Sequence, residues 1–198
     1  MLGYWRNEAA TNETKTSDGW VKTGDVALFQ GGKFWIVDRK KELIKVNGLQ
    51  PGIIYYHGGA MVSGNAYSGI LECTPYVEAF GSTLISVDYR LAPEHRGLAL
   101  VEDCYAALLW AADNLKNLNI DPDELMMAGG SAGGGLAAAT TLMSREIGGP
   151  KLCGQLLDCP MLDDRNSTIS SHQFSDGVGY NSTNNIYAWR HVLGDRCL

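Results

Sequence analysis

Ser131 stands at the centre of Gly129-Gly130-Ser131-Ala132-Gly133, a G-x-S-x-G pattern that follows the apolar run Leu125-Met126-Met127-Ala128 and opens a small-residue helix carrying Leu136, Leu142 and Met143. A strand that turns abruptly into a helix lifts a serine hydroxyl above the sheet, and glycines on both sides make so tight a turn sterically possible. Such a hydroxyl attacks an ester carbonyl when a base takes its proton and donors await the oxyanion that forms. His57-Gly58-Gly59-Ala60, at the end of the run Ile53-Ile54-Tyr55-Tyr56, meets the second requirement. Glycines at a strand end let the N–H groups of Gly58 and Gly59 face a ligand, and the N–H of Ala132 is a third donor. About seventy residues separate the two motifs, room for two βα units, which brings them to neighbouring strands at one sheet edge. His57 reads as a brace for its loop, and His95 as a turn residue. The plainer reading of Ser131 is a hydroxyl that caps the helix beginning at Ala132.

The elements that must position these residues alternate. Ile53 to Tyr56, residues 83–87, residues 125–128 and residues 152–159 are continuous apolar runs, the pattern of strands covered on both faces. Between them lie a poor helix over residues 67–80, interrupted by Pro75, and a clear one in which Val101, Tyr105, Leu108, Ala112 and Leu115 share a face while Glu102, Asp103 and Asp113 point away. Asp121-Pro122 marks a loop, and Gly148-Gly149-Pro150 stops the helix after Ser131. Residues 166–185 are polar and without pattern, and residues 186–193 make at best a short helix. Alternation of strand and helix means right-handed βαβ units. The fold class is α/β, a partial doubly wound, mainly parallel sheet. Its uncovered edges expose apolar surface and invite a homo-oligomer.

Residues 1–50 differ in kind. Val26-Ala27-Leu28-Phe29 and Lys33-Phe34-Trp35-Ile36-Val37 flank Gln30-Gly31-Gly32 as a hairpin, and residues 43–48 return to strand character, giving a small β meander. This segment holds eight basic and six acidic side chains, a balance of +2, whereas residues 51–198 hold eight and sixteen, a balance of −8. The expected organisation is therefore a fragment over 1–50 and a second domain over 51–198.

A net charge of −6 speaks against nucleic acid as a partner. No apolar run is long enough to span a membrane and no leader is visible at Met1, so a cytoplasmic location is expected. Cys73, Cys104, Cys153 and Cys159 sit in apolar surroundings without metal-ligand spacing and read as buried thiols in a reducing compartment. Neither a metal nor a cofactor is expected.

With both motifs and Asp88-Tyr89-Arg90-Leu91-Ala92-Pro93-Glu94-His95, residues 51–198 resemble the hormone-sensitive-lipase-like branch of the α/β hydrolases. The resemblance implies a serine carboxylester hydrolase acting on a small-molecule ester, with Ser131 as nucleophile and the amides of Gly58, Gly59 and Ala132 as oxyanion hole. Two departures stand out: Gly130 replaces the usual aspartate, and the Pro-rich loop after His95 is absent. In the family an acid and then a histidine follow on later strands, which this chain lacks, so an impaired enzyme is expected. Surrogates stand in that order, Asp163 or Asp164 with His172, and Asp176 with His191, but on polar loop sequence where histidines are usually solvated. The alternative is a catalytically inactive binding fold or incomplete gene product. Thr23-Gly24-Asp25 and the run from Asp38 to Lys45 resemble adenylate-forming acyl-CoA synthetases of the coumarate-ligase type, in which Asp25 and Arg39 would hold the ribose of ATP. Without the family's phosphate loop and lid lysine the two residues read as vestigial, and remnant ligase activity is a further alternative.

Overall fold

The structure, a computed structural model, describes residues 25–30, 33–39, 48–177 and 179–194. They belong to two units that part after Gly48. In the first, β1 (Asp25–Gln30) pairs antiparallel with β2 (Lys33–Arg39), as two β runs around a Gly-Gly turn predict. Asp25 and Arg39 are opposite one another, and a register shift follows between Val26 and Ala27. The third strand expected at 43–48 lies, apart from Gly48, outside the described residues, as does the stretch before Asp25.

The second unit contains β3 (Gln50–Tyr56), α1 (Thr74–Phe80), β4 (Thr83–Val87), α2 (Ala99–Asn114), β5 (Ile120–Gly130), α3 (Ala132–Ile147), β6 (Gly154–Asp158), α4 (Ile169–Gln173) and α5 (Ser182–Leu193). Its four strands form one parallel sheet in the order β4-β3-β5-β6. Consecutive side chains of a strand point to opposite faces. Ile54 and Tyr56 accordingly join the main core, closed by Leu100 and Leu108 of α2, Leu136 of α3 and Val192 of α5. Ile53 and Tyr55 face the other way, into a smaller cluster with Cys73 and Ala128. That second face is thinly covered: α1 buries none of its residues, and its Phe80 is 66% exposed.

Several expectations are corrected, each for a local reason. Pro75 does not interrupt a helix but stands in the first turn of α1, where its missing N–H is no loss, and a 3-10 turn over Ile70–Glu72 precedes it. The buried stripe of α2 is Leu100, Cys104, Leu108 and Ala111, one position earlier than the expected face except at Leu108. Asp103 lies off that stripe, as expected, and receives two side-chain hydrogen bonds of 2.8 Å from Arg90. The strand expected over 125–128 extends back to Ile120, because a register shift lets both Ile120 and Leu125 pair with β3 while the residues between swing out. The strand expected to be buried over 152–159 is the short β6, with four of its five residues exposed. As an edge strand it pairs with β5 on one side, and Cys153 and Cys159 at its ends are exposed, whereas Cys73 and Cys104 are buried as expected. The patternless segment contains α4, and α5 starts earlier than expected because Asn181 caps it: its side chain accepts from Asn184 N at 3.0 Å, and Asn184 Oδ1 accepts from Asn181 N at 3.3 Å.

The side chain of Leu108 is fully buried between α2 and the sheet. Its replacement in Leu108→Ala is expected to cost about 2–5 kcal/mol, read as a lower denaturant midpoint with an unchanged slope.

Candidate active site

After β3 the chain builds β4 on one side and then crosses to build β5 on the other, so the strand order reverses between β3 and β5. Loops diverge from the carboxyl ends of the strands at such a point and leave a crevice. Tyr56 and Gly129 are register partners at this edge, which brings the residues that follow them, His57-Gly58-Gly59 and Gly130-Ser131, side by side.

The turn from β5 into α3 is close-packed. A Cβ on Gly129 would overlap the carbonyl group of Gly133, and a Cβ on Gly133 would overlap the carbonyl of Tyr56. Ser131, between them, takes φ 53° and ψ −116°, a conformation that non-glycine residues rarely hold and that neighbours must enforce. Those neighbours are identifiable: Ser131 N donates to Asp158 O at 2.8 Å, and Ser131 O accepts from Met161 N at 2.9 Å and Gly135 N at 3.2 Å. The end of β6 and the chain after it thus hold the turn in place. The hydroxyl makes no capping bond to α3, so the plainer reading of Ser131 does not hold.

The loop after β3 lies against this turn. A Cβ on Gly58 would stand 3.2 Å from Gly130 O and 3.5 Å from Ser131 Cβ. Gly59 has φ 114° and accepts from the N–H groups of Val62 and Ser63, both at 3.0 Å, and a side chain there would strike the Ser63 carbonyl. Among the described residues the N–H groups of Gly58, Gly59 and Ala132 donate to no protein acceptor. Ser131, Gly58 and Gly59 line one open cleft of about 350 Å³.

His57 stands behind the cleft, fully buried. Its Nδ1–H donates to Gly58 O at 2.7 Å, and its ring stacks on Tyr89 with centroids 4.3 Å apart. Tyr89 in turn donates its hydroxyl to His57 O at 2.6 Å. Burial pushes the His57 pKa down, against weaker opposing effects of the Gly58 carbonyl and the Asp88 charge, and its Nε2 has no hydrogen-bond partner among the described residues. Tyr89 is positioned by the loop that follows it, where Arg90 grips Asp103. Burial raises the Asp103 pKa, but hydrogen bonds from the Arg90 side chain and backbone outweigh it and hold the carboxyl below the usual range.

Sequence reasoning missed Tyr55, Glu72 and Asp158, which also line the cleft. Only the alternation of β3 hinted at Tyr55, since it leaves the core face to Tyr56; no sequence signal marks Glu72. Among the described residues no hydrogen bond or ion pair assembles the surrogate pairs, Asp163 or Asp164 with His172 and Asp176 with His191. Asp163 accepts from Arg165 Nε at 2.7 Å, and these hydrogen bonds lower its pKa. His172 is exposed in α4, and His191 meets Tyr187 edge-on at 4.4 Å between ring centroids. All four histidines are described, and among the described residues none makes a hydrogen bond with Ser131. No group of three metal-ligating side chains and no helix long and apolar enough to cross a membrane occurs among the described residues.

Residues 53–197 match Abhydrolase_3, described as an alpha/beta hydrolase fold, and the chain belongs to this family. It is 39% identical over 110 residues to the carboxylesterase NlhH of Mycobacterium tuberculosis, covering 56% of this chain and 34% of that protein. The solved structure of a bacterial heroin esterase superposes with a TM-score of 0.76 at 33% identity, covering 87% of this chain and 56% of the other. The chain thus spans about a third to about half the length of these relatives. The chain is also 52% identical over 56 residues, 28% of its length, to a protein of Emericella nidulans named putative acyl-coenzyme A synthetase, of which it covers 10%.

The lowered pKa of His57 has a consequence for stability. Between its folded value and the ordinary 6.5 the unfolded chain binds more protons, so stability is full above 6.5 and falls as pH drops through that window. Urea unfolding from pH 8 to pH 5 is expected to show this loss, and His57→Gln is expected to flatten it.

Proposed function

We propose that this chain carries the nucleophile and oxyanion-binding parts of a serine carboxylester hydrolase. Ser131 Oγ would attack the ester carbonyl carbon, the amides of Gly58, Gly59 and Ala132 would receive the oxyanion, and expulsion of the alcohol would leave an acyl-serine that water cleaves to the carboxylic acid. The observation that carries this reading is the strained backbone of Ser131, held by the end of β6, with the Gly58-Gly59 loop lining the same cleft and the N–H groups of Gly58, Gly59 and Ala132 without protein acceptors among the described residues. His57 is assigned to the oxyanion loop rather than to proton transfer, because it is buried, makes no hydrogen bond with Ser131 among the described residues, and has its Nδ1–H engaged by Gly58 O. Likeness to the carboxylesterase and the heroin esterase supports the reaction class.

A nucleophile without an adjacent base reacts slowly. Loss of a triad member typically lowers kcat by about 10⁴ to 10⁶, with the remainder supplied by the oxyanion hole and binding. The purified chain is therefore expected to turn over a reporter ester at about that fraction of a complete esterase and, slowed by the same missing base, to accumulate a covalent organophosphonate adduct at Ser131 over prolonged incubation. Ser131→Ala is expected to abolish the adduct, as read by intact-protein mass spectrometry. An unmodified wild-type chain would refute the assignment.

The lack of a histidine partner for Ser131 favours a second reading, in which the cleft binds esters without cleaving them. Ligand-dependent thermal stabilisation with no adduct and no turnover would select it. Asp25 and Arg39, the two ribose-contact candidates, are backbone register partners, and remnant ligase binding is testable. Because no phosphate site accompanies them in the sequence, equilibrium dialysis is expected to show no retention of ATP at millimolar concentration.

A further inference from the structure

We infer that the cleft selects esters bearing a positive charge, and that Glu72 is the residue that recognises it. The inference rests on the proposed role of Ser131. The ionisable side chains lining the cleft include two carboxylates, Glu72 and Asp158, and no lysine, arginine or histidine. An ester seated for attack therefore meets acceptors beside its reacting centre and no cation.

Glu72 is held towards the nucleophile by the fold. It closes the 3-10 turn Ile70–Glu72, and its N–H donates to Gly69 O at 2.9 Å. Its carboxylate accepts from the Tyr55 hydroxyl at 3.4 Å. Tyr55 reaches that position because Gly69 has no side chain: a Cβ there would collide with the phenolic oxygen. The phenol remains a neutral donor, since burial, with the charges of Glu72, Cys73 and Asp158 adding to it, pushes its pKa far above the ordinary range. Glu72 Oε2 then lies 3.2 Å from where a Cβ of Gly130 would be, one residue before Ser131. The absence of a side chain at position 130 thus leaves space that the carboxylate of a distant residue fills. Among the described residues no cation forms an ion pair with Glu72, so its charge is available to a ligand.

A trimethylammonium group a few ångströms from the ester carbon would be attracted to this carboxylate, and a carboxylate there would be repelled. Both Glu72 and Asp158 are exposed, so the preference is modest and screened by salt. Roughly fivefold to tenfold at low ionic strength is the expected size.

The test uses the full chain and two matched probe pairs. In the first, a choline-bearing phosphonate and its uncharged 3,3-dimethylbutyl counterpart compete to label Ser131, followed by mass spectrometry. The cationic probe is expected to label roughly fivefold to tenfold faster at low salt, with the advantage shrinking at high salt and vanishing in Glu72→Gln. Equal rates, or an advantage that survives in Glu72→Gln, would overturn the inference. In the second, calorimetric titration compares a choline ether with its uncharged counterpart and needs no reaction. Cation preference lost in Glu72→Gln supports the inference, and its absence in the wild type refutes it. Failure of both phosphonates to label refutes the role of Ser131 and leaves the titration to decide the charge preference. Asp158→Asn is the control for general field effects and is expected to weaken the preference less than Glu72→Gln does.

Discussion

The backbone of Gly129 lies so close to that of Gly133 that position 129 cannot carry a side chain, and the rest of the site depends on this contact. It brings the end of β5 directly under the first turn of α3 and forces the intervening Ser131 into φ 53°. Gly133 also presses on the Tyr56 carbonyl, so the same approach locks α3 onto the end of β3, from which the Gly58-Gly59 loop departs. One steric constraint therefore fixes the nucleophile candidate and its donors relative to each other. Energy stored in the strained residue is offset by hydrogen bonds from Ser131 to Asp158 and from Met161 and Gly135 to Ser131.

Polar parts of the site are layered behind this frame. His57, neutral and buried, ties the loop to itself through Gly58 O, and Tyr89 holds His57 by stacking and by a hydrogen bond to its carbonyl. Arg90 and Asp103 then anchor the segment that carries Tyr89 to α2. The support runs from an ion pair at the surface, through an aromatic stack, to the backbone amides in the cleft. None of these groups is placed to take a proton from Ser131. Stabilising an oxyanion and activating a serine are separable tasks, and the proposed function asks only the first of the described residues.

Much of this was readable from residue order. The G-x-S-x-G pattern and the His57-Gly58-Gly59 loop lie on strands that are neighbours in the sheet, as their spacing predicted, and the parallel sheet followed from continuous apolar runs alternating with helices. Errors concentrated where burial depends on partners. Residues 152–159 read as a core strand because they are apolar, yet β6 has a strand on one side and its cysteines are exposed. The buried stripe of α2 lies a residue earlier than its apolar spacing suggested because Cys104, whose carbonyl accepts the Tyr56 hydroxyl at 2.8 Å, joins Leu100 and Leu108 on the face towards the sheet. α5 began earlier than its apolar residues suggested, since the capping bonds of Asn181 and Asn184 set its start.

By itself the sequence determined the short-range chemistry: which strand turns into which helix, where glycine permits that turn, and which amides follow it. These depend on neighbours along the chain, and local sterics settle them. Tertiary structure alone decided that Glu72, some sixty residues before Ser131, fills the space left by Gly130, that Tyr89 rather than an acid holds His57, and that Asp163 is taken by Arg165 instead of a histidine. Each of those pairings joins side chains whose meeting depends on how loops leave the strand ends. Periodicity sets the face on which a strand residue lies, but it carries no information about which loop side chain will reach it.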